Sequence, residues 1–323
     1  MLGVLLLNLG GPDTQAAVRP FLYNLFSDRD IIRLGPSFLQ EPIARLISLT
    51  RAPKTRSYYA LIGGGSPIER ITRQQAKALE DTLKPHGGFR VYVGMRYWHP
   101  FIGDTVDAMQ RDGIQECLAL SLYPHYSVAT TGSAYSELQR CLERHPLNCS
   151  FAGPWYDSPL YINAVTDTVV KALSGHTKEI NLLYSAHSLP QSFIDRGDPY
   201  VQHIKTTIDL VNRNLSQRGY RVKSFLSYQS RSGPVKWLEP STEAMIEELG
   251  REGVHEIIVV PISFVSDHIE TLYEIDILYR ELALKHGVIL KRAESLNTTP
   301  LFIEALKDIV LRSVAGKQAG SRP

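Results

Sequence analysis

Arg111-Asp112-Gly113-Ile114-Gln115-Glu116-Cys117 runs on into the apolar stretch Leu118-Ala119-Leu120-Ser121-Leu122. It reappears 140 positions later as Arg251-Glu252-Gly253-Val254-His255-Glu256-Ile257, running on into Ile258-Val259-Val260-Pro261-Ile262. Each copy leads into a strand that alternation alone cannot explain, because it is apolar throughout and therefore buried on both faces. The match reaches upstream, where His99-Pro100 opens one helix and Glu239-Pro240 the other, with proline suited to a first helical turn. A paired context at one spacing indicates an internal duplication, hence two similar lobes.

Working outward, short apolar runs recur at 4–9, 91–94, 117–122, 180–185, 224–227 and 257–262, with helical patterns between them. Strands alternating with helices predict an α/β protein with parallel sheets. Each run empties into a polar or Gly/Pro-rich segment: Asn8–Pro12, Arg96–Pro100, Tyr123–Tyr126, Ser185–Ser188, Gln229–Gly233 and Ser266–His268. Ligands of doubly wound sheets bind beyond the carboxyl ends of the strands, so these segments should face one side. The chain should cross between lobes near residue 150, giving a first lobe over 1–150 and a second over 151–300, with the active cleft between them. Helical spacing from Leu301 to Val314 would pack back on the first lobe, so 301–316 join it, leaving a flexible tail over 317–323.

Composition excludes several classes. At 323 residues, with 43% hydrophobic and 21% charged side chains, the chain has ample core for two domains and no signature of disorder or collagen. Thirty-five basic against 33 acidic residues leave a formal charge of +2 with no long basic stripe, so nucleic acid is not an expected partner. Leu2 to Leu7 is apolar but lacks a preceding basic residue and is stopped by Gly10-Gly11-Pro12, which reads as a buried strand rather than a signal peptide. No apolar stretch approaches the roughly 20 residues that span a bilayer, and a cytoplasmic location is expected. Cys117, Cys141 and Cys149 make an odd count without C-x-x-C spacing, against a disulfide framework or closed zinc site; Cys117 reads as a small core residue. Residues 20–50 carry Phe21, Leu22, Leu25, Phe26, Ile31, Ile32, Leu34, Phe38 and Leu39, which suit either core-facing helices or an apolar lid over a flat ligand.

Two places carry candidate chemistry. His187 follows the strand 180–185, flanked by Ser185 and Ser188, with Pro190 preventing a simple continuation. It reads as either a hydrogen-bonded structural residue or a functional imidazole at a strand end. Asp267-His268-Ile269-Glu270 follows the strand 257–262 and precedes a helical run with Leu272, Ile275, Leu278 and Tyr279. Asp267 as N-cap and Glu270 three positions on resemble a capping box. Yet Glu270 and Glu274, four apart on a helix, would repel each other, and a cation would relieve them. An imidazole with several carboxylates suits ferrous iron, and suits zinc and cobalt nearly as well. Gly63-Gly64-Gly65-Ser66-Pro67 lacks the phosphate-loop pattern and reads as a turn or close backbone contact; no Gly-x-Ser-x-Gly supports a hydrolase.

The segments Asn8–Pro12, Gly63–Ile68, Arg96–Pro100, Tyr123–Gly132, Ser185–Pro190, Arg196–Tyr200, Gln229–Pro234 and Ser266–Asp276 together resemble ferrochelatase, in the same order and up to about residue 314. The resemblance implies a chelatase-like pair of Rossmann-like lobes and the insertion of Fe2+ into a bent protoporphyrin IX, the terminal step of heme biosynthesis. It carries the catalytic and metal site onto His187 and Glu270. It places Leu9, Arg96, Tyr97, Trp237, Phe264, Asp267 and His268 at the porphyrin cleft and Glu274 on a metal path. Arg96 suits a porphyrin propionate or a structural carboxylate, and Trp237 a cleft wall or a core. Leu9 stands where relatives often have Met or Tyr, Ala60, Leu61 and Glu69 replace basic residues of animal relatives, and Leu278 replaces an acidic residue beyond Glu274. Residues 315–323 lack Cys, so no iron-sulfur cluster is expected, and no permanently bound cofactor, with Fe2+ as substrate. Peripheral membrane contact, an iron donor and a heme acceptor are left open. Competing readings are a coproporphyrin or cobalt chelatase of the same fold and, from another class, a non-enzymatic tetrapyrrole or metal carrier.

Overall fold

The apolar runs become strands because each is flanked by turn-forming residues and is too short to stand alone as a helix, several being rich in β-branched residues. In a computed structural model, residues 1–32, 34–145, 147–173 and 179–320 are described, with side chains to residue 316. Strands β1 (Leu2–Asn8), β2 (Phe89–Met95), β3 (Glu116–Ser121) and β4 (Asn148–Phe151) form one parallel sheet in the order β2-β1-β3-β4. Strands β5 (Glu179–His187), β6 (Arg221–Gln229), β7 (Glu256–Pro261) and β8 (Ile289–Arg292) form a second parallel sheet in the matching order β6-β5-β7-β8. The edge strands β4 and β8 are absent from the pattern of apolar runs: each is four residues long and half-exposed, so neither shows a continuous apolar signal.

The first sheet is accompanied by helices α1 (Val18–Ser27), α2 (Gln40–Leu61), α3 (Ile68–Leu83), α4 (Ile102–Arg111) and α5 (Ser133–Arg144). With the second go α6 (Pro159–Ala172), α7 (Gln191–Asp195), α8 (Tyr200–Gln217), α9 (Thr242–Arg251) and α10 (Arg280–Lys285), and the chain closes with α11 (Pro300–Gly320). Contacts divide the chain into two compact units, Met1–Pro154 with Ile303–Pro323, and Trp155–Phe302. Of the tail expected over 317–323, the backbone to Gly320 continues α11, and 321–323 lie outside the described residues.

The duplication is repeated bond by bond. After α4 the amides of Gly113 and Ile114 donate to Gln110 and Met109; after α9 those of Gly253 and Val254 donate to Gly250 and Leu249. Gly113 and Gly253 have φ of 75° and 79°, the left-handed conformation that ends a helix cheaply only in glycine. His99-Pro100 and Glu239-Pro240 are both cis. The two cores follow the same register: Leu5, Val106, Met109, Cys117 and Ala119 in one, Leu183, Ile246, Leu249, Ile257 and Val259 in the other. Cys117 is therefore a core residue, as its setting predicts. Ile246 is fully buried, so Ile246→Ala should cost about 2–5 kcal/mol of stability. Urea unfolding would show this as a lower midpoint, and an unchanged midpoint would contradict the assigned core.

Residues 20–50 split between the two readings. Phe21 and Leu22 of α1 are buried as core residues, whereas Phe38 is exposed. The glycine-rich segment is a close backbone contact: a Cβ on Gly65 would lie 2.1 Å from the Asp13 carbonyl oxygen, and the Ser66 amide donates to Pro12 at 2.7 Å. It holds the loop after β1. Among the described residues, no helix is long and apolar enough to cross a membrane.

Candidate active site

In each sheet the strand order reverses beside the first strand, β1 or β5, and such a reversal opens a crevice at the carboxyl ends. In the second unit that crevice falls between the end of β5 and the segment after β7. His187 is the last residue of β5 rather than the residue after it. After β7 the chain turns through Ser263 to Ile269 and enters a π-helix, Glu270–Tyr279, in place of the α-helix that the spacing predicts. π-helical turns are rare and concentrate at functional sites.

This arrangement brings His187 and Glu270 together, 2.8 Å from Nδ1 to Oε2, with side chains 35% and 15% exposed. Burial favours a neutral Glu270, but the charge and hydrogen bonds of His187 and His268 hold its carboxyl well below the usual range. An ionised carboxylate only accepts, so the Nδ1–H of His187 is the donor. Burial likewise opposes charge on His187, and the Glu270 carboxylate outweighs it and raises the imidazole pKa. The pair thus favours an imidazolium-carboxylate state.

The imidazole is fixed from behind. The His187 amide donates to Ser263 Oγ at 2.9 Å, and the buried Tyr200 hydroxyl donates to the His187 carbonyl at 3.0 Å. Phe264 lies edge-on to both His187 and His268, with ring centroids 6.2 and 4.3 Å away. His268 Nε2 is 3.8 Å from Glu270 Oε2. One turn on, Glu274 accepts from Ser230 Oγ at 2.5 Å and Gln229 Nε2 at 3.0 Å. Burial, with the charge of Glu270, pushes the Glu274 carboxyl up to about 7. The Gln229 amide also donates to the Glu270 carbonyl at 3.1 Å and accepts from Ser185 Oγ at 2.6 Å, so its orientation is fixed. Trp237 sits on a segment paired with Pro190, three residues beyond His187, and its indole N–H points to the Gly233 carbonyl. Among the described residues, no three or more His, Cys, Asp or Glu are arranged to enclose a metal ion.

The ferrochelatase family matches this chain over residues 1–314. The chain belongs to the ferrochelatase family. A ferrochelatase of Geotalea uraniireducens is 52% identical over 319 residues, covering 97% of this chain and 98% of its own. One from Desulfotalea psychrophila is 49% identical over 314 residues, covering 96% of this chain and 97% of its own. Among solved structures, SirB from Bacillus subtilis with Fe3+ superposes with a TM-score of 0.58 at 13% identity, covering 98% of this chain and 97% of that one, a likeness of fold.

The capping reading fails for this ferrochelatase-family segment. Asp267 caps nothing: its carboxylate accepts from Thr271, Ser295 and Arg292 at one oxygen and from Asn297 at the other, all within 3.0 Å. Burial would raise the Asp267 pKa, but the Arg292 charge and these bonds hold it below the ordinary value. Its contribution to stability is complete above the unfolded pKa of about 3.9 and is lost as pH falls through the depressed folded value. Asp267→Asn should therefore be less stable than the parent at neutral pH, by about 3 kcal/mol or more for a broken buried pair. The gap should close as pH drops below about 4. Urea midpoints at a series of pH values check this, and a constant gap would contradict it.

The remaining residues implied by family resemblance form a separate group in the first unit. Tyr97 and Arg96 donate backbone N–H bonds to Leu9 and Asn8, tying the end of β2 to the end of β1. Arg96 Nη2 contacts Asp28 Oδ2 at 2.8 Å, with side chains 14% and 5% exposed. The Tyr97 and Ser133 hydroxyls donate to the same oxygen at 2.5 and 2.9 Å. The carboxylate partners of Arg96 are thus Asp28 and, at 3.7 Å, Glu137. Sequence reading missed Asp28, Gln229, Ser230, Ser263, Tyr200 and Arg292. Gln229 and Ser230 carried a signal at the end of a strand, and Tyr200 closes one of the segments that carry the family resemblance.

Proposed function

We propose that this chain inserts Fe2+ into protoporphyrin IX to form protoheme, the terminal step of heme biosynthesis. Iron insertion rests on family membership, and the observation that carries the chemistry is the 2.8 Å contact of His187 with Glu270 at the crevice of the second sheet. The reaction exchanges two pyrrole protons for one divalent ion. A flat ring cannot offer four nitrogen lone pairs to a hydrated cation, so binding that favours a bent ring lowers the barrier. Glu270 attracts Fe2+, with Glu274 behind it on the metal path. As the cation takes over the carboxylate, the imidazolium loses the charge that held its proton, and a metal entering such a pair displaces protons. The imidazolium proton passes to solvent, the neutral imidazole accepts one pyrrole proton, and the second pyrrole proton leaves to water. On this reading Phe264, His268 and Trp237 border the porphyrin, and Asp267 acts through the loop that carries His268.

On this reading iron is the substrate, and neither a permanently bound cofactor nor an iron-sulfur cluster takes part. The near-neutral charge supports a protein without nucleic-acid partners, and a cytoplasmic location goes with this reading. Exposed Leu46 and Leu49 on one face of α2 support peripheral membrane contact.

Purified protein incubated without oxygen with Fe2+ and protoporphyrin, or with coproporphyrin, should lose the free-base porphyrin spectrum over many turnovers. Binding without turnover would support a carrier and overturn the enzyme reading. Faster metallation of coproporphyrin would overturn the choice of substrate.

A further inference from the structure

The π-helix Glu270–Tyr279 must hold two carboxylates at fixed positions against their mutual repulsion. The answer lies on β8, the strand that leaves no trace in the sequence pattern. Arg292, its last residue, is 11% exposed and grips Asp276 with both arms of its guanidinium, Nε to Oδ1 at 2.9 Å and Nη2 to Oδ2 at 2.8 Å. The remaining nitrogen, Nη1, reaches Asp267 Oδ1 at 3.0 Å. Asp267 precedes Glu270 by three residues and Asp276 follows Glu274 by two, so one side chain ties together both ends of the segment that bears the site carboxylates. Ser295 and Asn297 support the same end, each bonding Asp267 at 2.8 Å. On the opposite side Gln229 holds the Glu270 carbonyl and the Glu274 carboxylate.

We propose that Arg292 is a positioning residue for iron insertion: bridging Asp267 and Asp276, it sets the place of Glu270 against His187. The inference rests on the proposed reaction. Only a planar fork can grip one carboxylate with two bonds and reach a second; an ammonium supplies the charge at a single point. Arg292→Met should lower kcat per folded molecule by about tenfold to a hundredfold, the size seen when an outer partner of a metal site is removed, with the porphyrin KM unchanged. Arg292→Lys should restore most of the lost thermal stability and little of the rate, a separation that a purely structural role would not give. If Arg292→Met does not fold, Asp276→Asn, which leaves the Arg292–Asp267 contact in place, should show the same loss of kcat.

A second readout needs no turnover. In 15N-labelled protein, the Nδ1 resonance of His187, which reports its bond to Glu270, should shift in each variant. Wild-type kcat and an unmoved Nδ1 signal in folded Arg292→Met or Asp276→Asn would overturn the positioning role. A moved signal in a protein whose parent inserts no iron would support the clamp and overturn the proposed reaction.

Discussion

His187→Ala should reduce iron insertion by about a hundredfold to ten-thousandfold, the contribution of a placed general base, while porphyrin still binds. His187 ends β5, and its backbone bonds to Ser263 and Tyr200 do not involve the ring, so removal of the ring leaves the strand intact. What disappears is the acceptor for the pyrrole proton and the counter-charge of Glu270. Porphyrin binding followed by fluorescence quenching, beside rates of metallation, separates the two. Full activity in the variant would remove His187 from the mechanism, and lost binding would make it a porphyrin contact instead.

Glu270→Gln should be nearly as damaging for a different reason. The amide has almost the same shape and its oxygen can still accept from His187 Nδ1, but the charge that raises the imidazole pKa and attracts the cation is gone. Losing the carboxylate that attracts the cation should lower kcat/KM for Fe2+ by about a hundredfold, the upper end of what removal of a supporting partner of a metal site costs. The porphyrin KM should hardly move. Unchanged use of Fe2+ would show that the metal is met elsewhere and leave Glu270 only the structural task of orienting the imidazole.

Much of this was legible in the chain, and the exceptions share a cause. The central strands β1, β3, β5 and β7 are buried on both faces and announce themselves as unbroken apolar runs. The edges β4 and β8 are covered on fewer sides, and Lys291 and Arg292 look like surface residues until their partners are seen. His187 was visible because a strand end is a position that topology makes useful. Glu270 read first as a helix cap because capping assumes an α-helix beginning at Asp267; the π-helix begins three residues later, and Asp267 is occupied by Arg292. The residues that support the site come from distant parts of the chain. Gln229 and Glu274 are 45 positions apart, and Arg96 and Asp28 are 68 apart, contacts that no local pattern encodes.

The repeat places Leu9 where the second sheet has His187: Leu7 pairs with Ser121 as Ser185 pairs with Pro261, and each residue lies two further on. At the repeat spacing of 140, Thr130, inside the π-helix Val128–Gly132, stands where the second unit has Glu270. The same hollow has thus been built twice and furnished once. One copy has its reactive pair and the other a leucine and a threonine, so the geometry of the crevice is a property of the backbone, inherited by both halves, whereas reactivity is a local matter of two side chains. A chain made this way can change what one half touches without disturbing what the other half does.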